Sequence, residues 1–228
     1  IEENIHMAMI SIRENIDLDF VEKEAYNRLR TNLLFVGDGM KVVGITSCIP
    51  GEGKSSVTVN LAVAMAELEK KVLFIDGDLR KSVLLGRYRL SKPVRGLTHY
   101  LSGQAEKNEI VHSADVKGLD FIFSGPVPPN PSELLEGEKF SSLISELSNE
   151  YEYIFIDTPP IGSVIDSAVI STVCDGMIMV IEANNISYKF AQKMKMQQEK
   201  SGTKVIGAIL NKADTDKMGY YGKYYGKY

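Results

Sequence analysis

Short runs of apolar residues alternate along the chain with stretches whose apolar positions recur every three to four residues. Phe20, Ala25, Leu29, Leu33 and Val36 recur at helical spacing with charges between them, which predicts a helix over residues 20–36. Residues 41–47, KVVGITS, predict a short buried strand, and a helix follows the glycines at 51 and 53 and runs to about Glu69. Its packing positions are Val57, Leu61, Ala64, Ala66 and Leu68. Further strands are expected at 72–75, 119–123, 153–156, 177–181 and 204–210, and further helices at 140–147, 163–173 and 187–200. Residues 82–118, punctuated by glycine, read as short helices and loops. Residues 125–131, GPVPPNP, are expected to be irregular because proline has no N–H to give a ladder. Strands that are apolar throughout are buried on both faces, so the pattern predicts an α/β fold with a mostly parallel sheet flanked by helices on both faces. The expected partition is an N-terminal extension over 1–19, one domain over 20–213 and a flexible tail over 214–228. The extension reads either as native chain, as a fragment of an activator or as partly non-native, with His6-Met7 a candidate junction.

Composition narrows the function. The apolar fraction of 44% and charged fraction of 25% are ordinary for a globular chain. A formal net charge of −4 gives no basic footprint, so nucleic acid is not an expected partner. Two cysteines exclude a disulfide scaffold, and with three histidines they do not support a four-ligand zinc site; no metal other than magnesium is expected. Nothing contradicts a reducing, cytoplasmic setting. The longest apolar runs fall far short of the ~20 residues of a membrane-spanning helix, and residues 1–9 lack the pattern of a signal peptide.

The strongest chemical signal is Pro50-Gly51-Glu52-Gly53-Lys54-Ser55-Ser56, between a predicted strand and a predicted helix. That is the setting of a phosphate loop, as in P-loop NTPases. The glycines let backbone N–H groups approach an anion, and the helix N-terminus adds partial positive charge. Lys54 would reach the β- and γ-phosphates and the Ser55 hydroxyl would bind Mg²⁺. Cys48 stands where the usual pattern has its first glycine, and the competing reading is a chance glycine-rich turn. Asp76 and Asp78 follow the second strand, and Asp157 follows the strand at 153–156. In a parallel sheet the carboxyl ends of the strands share the edge where ligands bind. All three can therefore converge on a metal–triphosphate, whereas each taken singly could be a helix cap. Arg80 and Lys81 either counter phosphate charge or are solvated. Asn211-Lys212-Ala213-Asp214 matches the N-K-x-D pattern that reads guanine, although asparagine at a strand end serves adenine equally.

Five of the 11 tyrosines lie in the last nine residues: Tyr220, Tyr221, Tyr224, Tyr225 and Tyr228. Gly and Lys break every apolar face there, so the cluster is not a core. It reads as a low-complexity tail, as a stacking platform, or as phosphate acceptors.

In this order along the chain, P-G-E-G-K-S, I-D-G-D-L-R-K, S-G-P-V-P-P-N-P-S-E-L-L, I-D-T-P-P, G-A-I-L-N-K and the tyrosine tail resemble the bacterial tyrosine kinases of capsular and exopolysaccharide synthesis, in their separate Gram-positive form. The resemblance runs from about residue 20 to the end. It implies an ATP- and Mg²⁺-dependent autokinase in which Lys54 and Asp76 are catalytic and Asp76 positions or deprotonates the attacking tyrosine. Pro50 to Ser56 and Asn211 would bind the nucleotide. Ser55, Asp78 and Asp157 would hold Mg²⁺, directly or through water. It further implies a ring-shaped homo-oligomer in which one tail enters the neighbouring site, a membrane-embedded activator of the polysaccharide co-polymerase kind, a tyrosine phosphatase as counterpart, and a place at the inner face of the membrane through that partner. Within the family's helical E-x-x-R-x-x-R ring motif, Glu24 and Arg30 match but the middle position is Asn27, which weakens the expectation of a ring. Position 49 is Ile rather than the signature lysine of partition-type ATPases. The competing reading is a switch-type P-loop ATPase or GTPase that binds a membrane partner without kinase activity; the absence of Gly in a D-x-x-G at Asp157 counts against the GTPase form.

Overall fold

The apolar runs assemble into one sheet. In a computed structural model, which describes residues 10–36, 39–88 and 94–213, the strands are β1 (Val42–Ser47), β2 (Val72–Asp76), β3 (His112–Ser113), β4 (Leu119–Ile122), β5 (Tyr153–Asp157), β6 (Gly176–Glu182) and β7 (Val205–Asn211). Their order is β3-β4-β2-β5-β1-β6-β7, parallel except for the short antiparallel β3–β4 pair at one edge. The helices are α1 (Phe20–Val36), α2 (Lys54–Ala66), α3 (Leu84–Arg87), α4 (Leu97–Leu101), α5 (Lys107–Ile110), α6 (Pro131–Glu136), α7 (Glu138–Glu150), α8 (Asp166–Ser171) and α9 (Tyr188–Glu199). The expected α/β architecture is therefore present.

Alternation along each central strand explains why these strands are apolar throughout. Val43, Ile45, Phe74 and Phe155 enter one core with Leu61 and Met65 of α2, and Phe74 stacks on Phe121 with ring centroids 4.8 Å apart. Their neighbours Val42, Leu73, Ile75, Ile154 and Ile156 enter a second core with Phe140, Leu143 and Leu147 of α7. A third, sulfur-rich cluster joins Cys48, Met177 and Met179 to Met194 of α9.

Four local expectations are corrected. The helix expected to reach Glu69 ends at Ala66, and Glu69 turns the chain in the left-handed region at φ 59°. The helix expected over 163–173 contracts to α8, because residues 161–163 turn back against the sheet, with Ile161 N–H donating to Ser47 O. Helix α6 starts at Pro131, inside the stretch expected to be irregular; proline suits a first helical turn, where its missing N–H has no partner to lose. β2 and β5 each run one residue further than expected, because the parallel ladder pairs Asp76 with Asp157.

The core also reaches into the segment expected as an N-terminal extension. Ile10 and Ile12 are fully buried in the α2-side core. Ile10 pairs with the β3 edge through Ile10 N–H to Ser113 O and Asp115 N–H to Ile10 O, each 3.0 Å, and Asp115 Oδ1 accepts the Ile12 N–H at 2.8 Å. Truncating Ile12 to Ala should cost about 2–4 kcal/mol of unfolding free energy in urea titration. An unmoved midpoint would show that this strap does not belong to the cooperative unit.

Candidate functional site

The loop between β1 and α2 is shaped from behind. Gly51 and Gly53 adopt φ values of 87° and 88°, open to glycine at little cost. Between them the Glu52 side chain turns inward, fully buried. Its carboxylate accepts the N–H groups of Cys48 (2.7 Å), Ile49 (2.9 Å) and Glu182 (3.2 Å). On the same side Asn211 Nδ2 donates to Glu52 O (2.9 Å), and Lys212 Nζ donates to Gly51 O (2.9 Å) while pairing with Glu182 (3.0 Å). Within the N-K-A-D segment, then, the Asn and Lys side chains brace the phosphate loop, while Asp214 lies outside the described residues.

In front of the loop is a cleft of about 630 Å³, whose lining includes Pro50, Gly51, Gly53, Lys54, Ser55, Ser56, Asp76, Asp78 and Asp157. Glu52 and Asn211 are not part of that wall. Lys54 Nζ lies 3.2 Å from Asp157 Oδ2 and 3.9 Å from Asp78 Oδ2, and Ser55 Oγ donates to Asp157 Oδ2 at 2.5 Å. Asp76 accepts the Ser82 hydroxyl and the Asp78 N–H. Strand register sets Asp76 beside Asp157, both 1% exposed. Burial, reinforced by Asp157 and opposed by Ser82 and Lys54, pushes the Asp76 carboxyl up to about 7. Burial likewise raises Asp157, against the pull of Lys54 and Ser55.

This donor set fits a hard divalent cation. Asp157 Oδ1 is buried with no hydrogen-bond partner, and the candidate donors in the cleft, Ser55, Asp78 and Asp157, all offer oxygen. Among the described residues no three His, Cys, Asp or Glu side chains form a ready-made metal cage; Mg²⁺ needs none, since it keeps several waters.

Arg80, expected either to counter phosphate charge or to be solvated, instead forms an ion pair within the chain, and several further contributors carried no local signal in the sequence. Arg80 pairs bidentately with buried Asp166 (2.7 and 3.1 Å) and also donates to Ser132 (2.9 Å), tying the aspartate loop to α8 and α6. That bond raises the guanidinium and, with Ser132, outweighs burial to hold Asp166 below the usual carboxylate range. Arg87 lines the cleft and donates to Ser56 Oγ at 2.8 Å. Behind Asp157, Thr46, Thr158, Ser167 and Gln198 form a buried hydrogen-bonded network that fixes the strand end to α8 and α9. The partners lie 31 to 121 residues apart for the bonds that cross it, beyond the reach of a motif. On α1, Glu24 is exposed and accepts from Asn27, whereas Arg30 Nη1 donates to Ala64 O of α2 at 2.8 Å, within the chain. The tail tyrosines at 220, 221, 224, 225 and 228 lie outside the described residues.

Comparison with known proteins bears on this geometry. A family model described as an AAA domain matches residues 40–204. Tyrosine-protein kinase CpsD of Streptococcus agalactiae is 42% identical over 207 residues, 90% of each chain. Tyrosine-protein kinase YwqD of Bacillus subtilis strain 168 is 40% identical over 208 residues, 90% of this chain and 87% of that one. Among solved structures, the chimerical protein CapA2B2 superposes with a TM-score of 0.81 at 31% identity, covering 90% of this chain and 92% of the other.

The raised Asp76 carboxyl has a measurable consequence in metal-free protein. Between about pH 4, where an unfolded aspartate ionises, and about 7, where the folded one does, rising pH removes stability. Above that range the cost of the buried charge is present in full. Asp76→Asn removes it, so the variant should melt roughly 5 °C higher at pH 8, with a smaller gain at pH 5. An equal gain at both pH values would contradict the electrostatic account.

Proposed function

Because the chain belongs to the bacterial tyrosine kinases, we propose that its cleft transfers the γ-phosphoryl group of Mg-ATP to the tyrosines of its own C-terminal cluster. The observation that carries this reading is the convergence of a phosphate-loop Lys54 and Ser55 with Asp76, Asp78 and Asp157 on one cleft, in a chain that also holds the acceptor cluster.

The division of labour follows from position. Lys54 and the N-terminus of α2 supply positive charge to the β- and γ-phosphates. Ser55, Asp78 and Asp157 hold Mg²⁺, which when bound neutralises charge developing on the transferred group. Asp76 orients the phenol and takes its proton. A phenol has a pKa near 10, yet the transition state for phosphoryl transfer is loose, so alignment and charge neutralisation matter more than a strong base. Glu52, Asn211 and Lys212 act through the loop backbone they brace. Tyr220 lies nine residues beyond Asn211, a span of at most ~30 Å, so the tail must turn back sharply to enter its own site. Transfer between subunits of an oligomer avoids that turn. Exposed Glu24 on α1 is then available to a neighbouring copy, whereas Arg30 acts by fixing α1 on α2.

The cellular role that fits is regulation of capsular or exopolysaccharide synthesis and export, at the inner face of the membrane. No helix among the described residues is long and apolar enough to cross a bilayer; in this reading a membrane-embedded activator provides the attachment, and a tyrosine phosphatase resets the tail. Each phosphotyrosine adds about −1.5 to −2 charge, and the modified tails are repelled from the acidic sites, which disperses the oligomer.

Incubation with Mg-ATP and activator, followed by mass spectrometry, should show phosphotyrosine among the five tail positions. Lys54→Met should abolish it, and Asp76→Asn should slow it by roughly 10²–10⁴-fold. A tail that stays unmodified with the activator present would defeat the kinase reading. Equal particle mass before and after dephosphorylation would defeat the dispersal of the oligomer.

A further inference from the structure

One hydroxyl of the chain already stands on the carboxylate that the kinase reading assigns to the phosphate acceptor. Ser82, in the turn between β2 and α3, donates its hydroxyl hydrogen to Asp76 Oδ2. The same Oγ accepts the Leu84 N–H at 3.2 Å, which orients it at the entry to α3. The other Asp76 oxygen accepts the Asp78 N–H at 3.3 Å. Ser82 is half-buried and lines the same cleft as Lys54, Asp78 and Asp157. An acceptor hydroxyl needs a carboxylate to orient it, an approach to the nucleotide and a cationic wall; Ser82 has all three, and Lys81 and Arg87 add to that wall.

We propose that Ser82 is an internal phosphoacceptor, modified in cis by the cleft it lines. The inference rests on the kinase reading above and extends it to a second acceptor. In the step, Ser82 Oγ forms a bond to the γ-phosphorus of ATP while the bond from that phosphorus to the β,γ-bridging oxygen breaks. ADP departs with the electron pair, and the hydroxyl proton passes along the hydrogen bond to Asp76 and on to solvent. A serine hydroxyl is less acidic than a phenol, but a loose transition state rewards placement over acidity. An acceptor held on the same chain also reacts as a unimolecular partner.

The product has a consequence for the site. A phosphate on Ser82 brings about −1.5 to −2 charge to the mouth of the cleft, where it competes with nucleotide for Lys54, Lys81 and Arg87. It also removes the hydrogen that Ser82 gave to Asp76. Molecules modified at Ser82 are therefore withdrawn from tail phosphorylation.

The test uses the full chain with Mg-ATP and activator, with site-resolved phosphopeptide mass spectrometry over time. Phosphoserine at 82 is expected to appear at a first-order rate that does not change with protein concentration, and to be lost in both Ser82→Ala and Lys54→Met. Tail phosphotyrosine in the same spectra reports separately on the kinase reading. Phosphotyrosine without phosphoserine at 82 overturns this inference and leaves that reading standing, whereas the absence of both overturns the two together. A Ser82 signal whose rate rises with protein concentration overturns the cis geometry.

Discussion

Two carboxylates held side by side out of solvent set the terms for this site. The parallel ladder puts Asp76 opposite Asp157, and each is 1% exposed. Neighbouring carboxylates in such surroundings do not both ionise without positive charge close by. Lys54 supplies part of it, 3.2 Å from Asp157, and the unpartnered Asp157 Oδ1 is suited to a divalent cation. A metal–phosphate bound there would relieve a repulsion that the strand register itself creates.

The surrounding polar residues keep this arrangement rigid. Glu52 gathers three backbone N–H groups behind the phosphate loop, one of them from β6. Arg80 and Asp166 lock the aspartate loop to two helices. Thr46, Ser167 and Gln198 anchor the end of β5. A buried polar group left unsatisfied costs roughly 1–3 kcal/mol. Satisfied networks of this kind hold reacting groups within the small tolerances that phosphoryl transfer demands.

Much of the fold was legible because burial on both faces leaves a plain trace. A run such as VLFI, residues 72–75 of β2, must be apolar at every position when Phe74 enters one core and Leu73 and Ile75 the other. The helices α1 and α9 were legible from their spacing. The two-residue β3 was not, since a strand that short has no period. The start of α6 at Pro131 was obscured because proline signals both a break and a first helical turn. The strap at Ile10 and Ile12 was hidden because its partners lie about a hundred residues away.

The sequence by itself determined the phosphate loop, the strand-end aspartates and the α/β layering, because each rests on local order: glycine freedom, a helix start, or the face a side chain takes. The tertiary structure alone decided how those groups act. Register, which depends on which strands become neighbours, brought Asp76 against Asp157 and raised its carboxyl. Chain crossing turned Glu52, Asn211 and Lys212 to the back of the loop, since a side chain's direction is set by what packs against it. The turn after β2 brought the Ser82 hydroxyl onto Asp76, a contact between residues six apart that no spacing rule foretells.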